Sequence, residues 1–477
     1  MKSYKISIFI FAVIGVLACI CAVFPEEGIT VGTTTLNFPS INDVLTVDSG
    51  RTETGDIAVN QIELDSIQKE LDSIHQIEIA PYITFFEQAP NKIYFPNNDF
   101  TLFDPLYAAL EDARHTPVRI VHYGDSQIEE DRITKELRYK LQTTFGGSGV
   151  GLLPYIQNIT SLTTRQISSN LLTRKMAYGP QSYRSADHIY GPLMRMDILS
   201  TPTSTSISAK STENRPENYF TKVTVLTRPL NKTITIKTNH NDTATINQSQ
   251  KQYNTSSFIY TDSISQITIN TSGYGYIYGV MLDDTIGVSV DNVPMRGCSG
   301  TVFSHTDPTT MRAYFEQTNT KLIIMQFTGN SVPYLSGDKS ITAYINKIRT
   351  QIRFMQKQAP DAAILFIGPS DMLQNKDGVK SSYPLLPKID RAMQKAVNEE
   401  NAAYWSIFET MGGKGSMKQW TEKTPALAGK DGIHFTRLGA QLIGEKLTDA
   451  IMKGYLYYTV RNDYYQTMAE KELNLCQ

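Results

Sequence analysis

Val118-Arg-Ile-Val-His-Tyr-Gly-Asp-Ser126-Gln-Ile-Glu-Glu-Asp-Arg-Ile-Thr-Lys-Glu-Leu137 opens on an apolar, β-branched run that stops at Gly124-Asp125-Ser126. It then passes into helical spacing, with Ile133, Leu137 and Leu141 four apart. The pattern predicts strand, tight turn, helix. Such a turn sets a serine hydroxyl at the carboxyl end of a strand, beside a helix amino terminus whose N–H groups and dipole favour negative charge. Glu129, Glu130 and Asp131 are then expected in the first helical turn. Two readings of the serine follow. It is a nucleophile whose oxyanion meets backbone donors, or it belongs to an ordinary helix cap, where Asp and Ser are favoured anyway.

Outward from this stretch, further apolar strands are expected at 286–291, 321–327, 362–368 and 402–408, with helical patterns at 106–113, 344–358, 388–399 and 438–453. With the first strand they predict a five-stranded parallel sheet covered on both faces, a doubly wound α/β domain. Between residues 155 and 278 the composition shifts to Thr, Ser, Asn and Tyr, with short alternating runs at 221–227, 233–238 and 265–270. That segment is expected to be a β-sandwich inserted after the first strand–helix unit. The glycine-rich run 145–154 follows a helix and lacks a Gly-Lys-Ser/Thr sequence, so a flexible exit loop is expected there and not a phosphate cradle.

The chain has 477 residues, room for roughly two or three domains. Its 45 Lys plus Arg balance 47 Asp plus Glu, which gives no electrostatic ground for a nucleic-acid partner. Lys2 and Lys5 precede the uncharged run 6–24, which reaches about 28 Å as a helix, close to a bilayer core. The reading is an amino-terminal membrane anchor, residues 1–24, with all that follows outside the inner membrane, in the periplasm. Cleavage, or lipidation at Cys19, stays open. Residues 25–100 are expected to be a tether with a short helical pattern at 61–75, residues 101–155 and 285–460 the discontinuous α/β domain, 156–284 the sandwich and 461–477 a tail. Cys19 and Cys21 lie in the apolar run, and whether Cys298 and Cys476 pair is open. Neither the cysteines nor the seven scattered histidines have metal-site spacing, and no metal or organic cofactor is expected.

In doubly wound folds ligands bind beyond the carboxyl ends of the strands. Those positions hold Gly124-Asp125-Ser126, then Met295-Arg-Gly-Cys-Ser-Gly300, then Thr328-Gly329-Asn330, then Gly368-Pro-Ser-Asp371; Asp431-Gly-Ile-His434 precedes the last helix. Acyl transfer by serine needs a nucleophile, a base, a partner that orients the base, and donors where negative charge develops. Ser126, His434 and Asp431 can fill the first three roles. The Ser126 and Gly300 N–H groups and the Asn330 amide can supply the oxyanion hole, each donor worth about 3 kcal/mol of barrier. Singly, each has a plainer reading: Asp431 as a cap, Asn330 beside Gly329 as a turn pair, and Gly300 as relief of backbone strain.

Together these blocks resemble those of the SGNH (GDSL-type) hydrolase superfamily, and the inserted sandwich resembles the carbohydrate-binding-like module of bacterial peptidoglycan O-acetylesterases. The resemblance implies a flavodoxin-like three-layer α/β/α fold, with Ser126 as nucleophile, His434 as base and Asp431 as its partner. It departs from the family at Gln127, where leucine is usual, and at Asn330-Ser331, where the family reads Gly-x-Asn-Asp. In the second block Gly297 competes with Gly300 as donor, and the family's Gly-x-Ser-Gly form favours Gly300. The expected activity is removal of O-acetyl groups from a cell-envelope polysaccharide, peptidoglycan first, through an acyl-enzyme. The alternatives are an O-acetyltransferase using the same residues and a non-catalytic wall-binding protein.

Overall fold

Alternate residues of the central strands face two separate apolar cores, the mark of a sheet covered on both sides. Val121, Tyr123, Ile323, Met325, Ile364 and Phe366 enter one core; Ile120, Leu322, Ile324, Leu365 and Ile367 enter the other. The strands are β1 (Ile93–Tyr94), β2 (Val118–Gly124), β3 (Val288–Pro294), β4 (Thr320–Gln326), β5 (Ala363–Ile367) and β6 (Ala403–Trp405), in spatial order β3-β2-β4-β5-β6-β1. β2 to β6 are mutually parallel, as expected. β1, from the stretch read as a tether, adds a sixth, antiparallel edge strand. Two residues with no periodicity to display are too short a signal to read from sequence.

The structure is a computed structural model and describes residues 29–31, 34–36, 54–210, 213–230, 232–247 and 251–475. The expected anchor, residues 1–24, and Cys476 lie outside the described residues. Among those described, no helix is long and apolar enough to cross a membrane. The sheet, the sandwich and the site lie in one compact unit, Ile74–Gln466.

The longer helices among the described residues are α1 (Thr54–Gln88), α2 (Asp104–Glu111), α3 (Thr134–Phe145), α4 (Thr309–Gln317), α5 (Asp338–Gln358), α6 (Leu386–Glu399) and α7 (Arg437–Leu475). Apolar residues of α4, α5 and α6 line the first core; those of α2, α3, α7 and the end of α1 line the second. The result is the three-layer α/β/α arrangement. α1 is far longer than the 61–75 pattern, and α7 continues through most of the residues expected to be a tail.

The insertion is a two-sheet β-sandwich, as expected. It begins earlier than residue 156, because Gly151–Leu153 pairs with the strand Gly275–Asp283 of one of its sheets. The run expected to be a flexible exit is a close-packed seam. At Gly149, φ is +83° and a Cβ would stand 2.1 Å from Leu282 O, so only glycine lets the two backbones approach. A buried ion network ties both ends of the insertion to the sheet: Arg119 donates to Asp291 at 2.5 Å and to Asp283 at 2.6 Å, and Asp291 accepts the Leu152 N–H at 2.8 Å.

Candidate active site

Strand β2 delivers Ser126 to the sheet edge, and there the local structure departs from the simple turn-to-helix reading. Residues Ser126–Asp131 form a kinked 3-10 segment, with left-handed backbone at Glu130 (φ 61°) and Asp131 (φ 65°), and α3 starts only at Thr134. The acidic residues do not serve the α-helix dipole. Glu129 and Asp131 are buried, and buried carboxylates need specific partners: Arg296 grips Glu129 through Nε at 2.8 Å, and Arg138 donates to Asp131 at 2.5 Å. Asp125 caps the segment by accepting the Gln127 N–H at 2.9 Å. The cap reading therefore holds for Asp125, and it leaves the Ser126 hydroxyl available.

That hydroxyl meets His434. Ser126 Oγ lies 2.9 Å from His434 Nε2, and Asp431 Oδ2 lies 2.7 Å from His434 Nδ1. Asp431 Oδ1 also accepts the Ile433 N–H at 2.9 Å and the His434 N–H at 3.1 Å. Burial works against the Asp431 carboxylate, but the hydrogen bonds from the His434 ring and the two N–H groups outweigh it and hold its carboxyl below the usual aspartate range. It is thus ionised and fixed in the place where it accepts from the imidazole. An imidazole so held can take a hydroxyl proton through Nε2.

Asn330 sits at the end of β4, as expected, but its amide is engaged. Nδ2 donates to Asp125 Oδ2 and to Cys298 O, both at 3.2 Å. Both contacts stand at the long end of the ordinary range, and Asn330 lines the same pocket as Ser126. Thr328 sets the angle of this turn. A buried β-branched residue at φ 92° is a strained conformation, held by the Ser331 and Val332 N–H groups donating to Thr328 O at 2.7 and 3.2 Å. Burial pushes the Asp125 carboxyl up to about 6, against the Gln127 N–H and the nearby His434, which pull it down.

In the second block Gly297 and Gly300 both have φ +74°, yet only Gly300 is packed: a Cβ there would lie 2.6 Å from the Phe327 ring, whereas one at Gly297 meets nothing within 4 Å. Phe327 lines the pocket that contains Ser126, which sets Gly300 against its wall. The Gly300 N–H itself points to Cys298 Sγ at 3.4 Å. Burial pushes the Cys298 thiol up to about 12, so this free cysteine is a protonated core residue and no rival nucleophile.

Sequence reasoning noted Gln127 only as a departure from the family pattern and gave it no role. Its side chain brackets the histidine, Nε2 donating to Ile433 O at 2.7 Å and Oε1 accepting the Phe435 N–H at 3.4 Å. Arg132 adds a second bridge, to Ser126 O at 2.8 Å and Phe435 O at 3.3 Å. Leu373 N–H donates to Gly432 O at 2.8 Å from the other side. The only signal in the sequence was a polar residue where leucine is usual. Tyr334, with 80% of its surface exposed, stands on the rim of the pocket, a cavity of about 230 Å³ that also holds Ser126, Asn330, Met372 and His434. No group of three or more His, Cys, Asp or Glu able to hold a metal ion occurs among the described residues.

Set beside solved structures, the chain has the fold of an SGNH-type hydrolase carrying an inserted β domain. A structure titled "Peptidoglycan O-acetylesterase in action" superposes with a TM-score of 0.61 at 20% identity, over 77% of this chain and 97% of that one. A family two carbohydrate esterase from Cellvibrio japonicus matches with a TM-score of 0.26 at 11% identity, over 62% of this chain and 98% of that one, a likeness too slight to argue from. No protein-family model matches the sequence, and no match was found among curated proteins.

Proposed function

We propose that the protein is a serine esterase that removes O-acetyl groups from a cell-envelope polysaccharide, with peptidoglycan the first candidate. The observation that carries this reading is the unbroken relay from Ser126 Oγ through His434 to Asp431, at 2.9 and 2.7 Å. The shared fold with a peptidoglycan O-acetylesterase supports the choice of polymer. So does the exposed Tyr334 beside the serine, an aromatic face on which a sugar ring can stack. The apolar run 6–24 supports an anchored protein facing the periplasm.

In this mechanism His434 Nε2 takes the Ser126 proton as Oγ attacks the acetyl carbonyl carbon. The oxyanion is met by the Ser126 N–H, unpaired as the first donor of a helical turn, by Gly300 N–H and by the Asn330 amide, which trade weak internal contacts for a charged acceptor. Collapse breaks the carbon–oxygen bond to the sugar, whose oxygen takes the proton from His434. Water, deprotonated by the same imidazole, then attacks acetyl-Ser126, and collapse returns that proton to Oγ and releases acetate. The test is acetate release from O-acetylated peptidoglycan by the native enzyme and by Ser126→Ala. Release by the native enzyme alone is expected; acetyl transferred to an added oligosaccharide in place of free acetate would overturn hydrolysis in favour of transfer.

A further inference from the structure

A second cavity, about 80 Å³, lies where the sandwich meets the catalytic domain. Its wall combines the segment just after Ser126 (Glu129, Glu130 and Asp131), Arg296 from the turn that carries Gly300, and Arg195 from the sandwich strand Arg195–Leu199. The neighbouring arginines each own a carboxylate. Arg296 holds Glu129, Arg138 holds Asp131 at 2.5 Å, and Arg174 holds Asp197 at 2.7 Å. Glu130, the remaining acid, accepts from Thr160 Oγ1 at 3.2 Å.

Arg195 differs from the others. Among the described residues its guanidinium has no ion pair and no hydrogen bond, and its buried Nε has no partner. The Asp197 and Glu129 carboxylates favour its charge from nearby but neither is bonded to it, and a guanidinium with open donors on a cavity wall is a ready partner for an incoming anion. Burial, helped by Arg174, lowers its affinity for its proton against Tyr178, Asp197 and Glu129, which raise it, and the arginine remains a cation.

We infer that Arg195 forms an anion subsite which receives a carboxylate of an acidic polysaccharide while a neighbouring acetyl ester lies at Ser126. Guanidinium and carboxylate match as a planar, two-point pair, and such a pair orients a chain as well as holding it. In peptidoglycan the carboxylates of the peptide stems supply that group, whereas a neutral acetylated glycan has none. The inference rests on the polysaccharide reading above and names the part of the polymer that the sandwich side recognises.

Arg195→Gln tests it. On O-acetylated peptidoglycan with intact stems, kcat/KM is expected to fall about tenfold, mainly through KM, the loss of one charge-assisted contact. On an O-acetylated chitin oligosaccharide, which carries no carboxylate, and on p-nitrophenyl acetate, it is expected to stay unchanged. Tm is expected to hold, since the substitution removes no ion pair or hydrogen bond, and Arg195→Lys should recover part of the loss. Equal loss on all three substrates, no loss on any, or a lowered Tm would overturn the proposal. Calorimetric titration of Ser126→Ala with a stem-bearing, de-O-acetylated disaccharide peptide separates this from the esterase reading. If it binds and Arg195→Gln weakens it although the native enzyme releases no acetate, the subsite stands and the esterase falls. If it does not bind, the subsite falls.

Discussion

The serine and the histidine reach the same pocket from opposite structural circumstances. Ser126 stands at the end of a fully buried strand, paired on both sides by β3 and β4, so its position is a consequence of the sheet. His434 and Asp431 stand on a loop, with 40% and 48% of their side chains exposed, held by Gln127, Arg132 and Leu373. Their carboxylates differ in the same sense. Asp125, on the serine side, is buried and pushed up to about 6, while Asp431, on the histidine side, is held below its ordinary range. One half of the site is thus fixed by backbone and the other by side chains. The second half is where a conservative substitution should be felt most in rate and least in stability.

The largest expected effect removes the nucleophile: Ser126→Ala should lower kcat on a soluble acetyl ester by about 10^4-fold or more, with an unchanged circular dichroism spectrum. Asp431→Asn should cost about 10^3-fold to 10^4-fold, because the imidazole loses the acceptor that sets its tautomer, and the loss should appear in kcat. Asn330→Ala is expected to cost about 10^2-fold to 10^3-fold as an oxyanion donor; a smaller effect would mean that the amide never leaves Asp125 and Cys298. Gln127→Leu introduces the residue usual in the superfamily whose motifs the chain resembles and removes the bracket. It should lower kcat about tenfold with Tm nearly unchanged, and unchanged kcat would show that Arg132 and Leu373 suffice.

The smallest effect is a pH dependence that separates the two halves by sign. Asp125 has a raised folded-state pKa, so its contribution to stability is fully present below the unfolded value and is lost as pH rises through about 6. Asp431 has a lowered one, so its contribution is present above the unfolded value and is lost as pH falls through the folded one. Between pH 7 and 5 the urea midpoint of Asp125→Asn should therefore vary less with pH than that of the native protein, whereas Asp431→Asn should match the native slope in that window.

Gln127 and Arg195 show where reading the chain alone stops. A strand announces itself by several consecutive apolar residues, so β2 and β4 and the residues at their ends were legible, and with them Ser126 and Asn330. The kink after Ser126 was not, because a run of three acids looks the same whether it faces a helix dipole or has its members gripped by arginines brought from residues 138 and 296.

By itself the sequence determined the α/β alternation, the inserted sandwich and which residues stand at the strand ends, since hydrophobic period and turn chemistry are local properties of the chain. Only the tertiary structure decided that Gln127 closes on the loop carrying His434, that glycines at 146–151 seal a seam, and that Arg195 lines a cavity with its Nε unpartnered. These depend on what lies opposite each side chain, and no spacing along the chain encodes a partner hundreds of residues away.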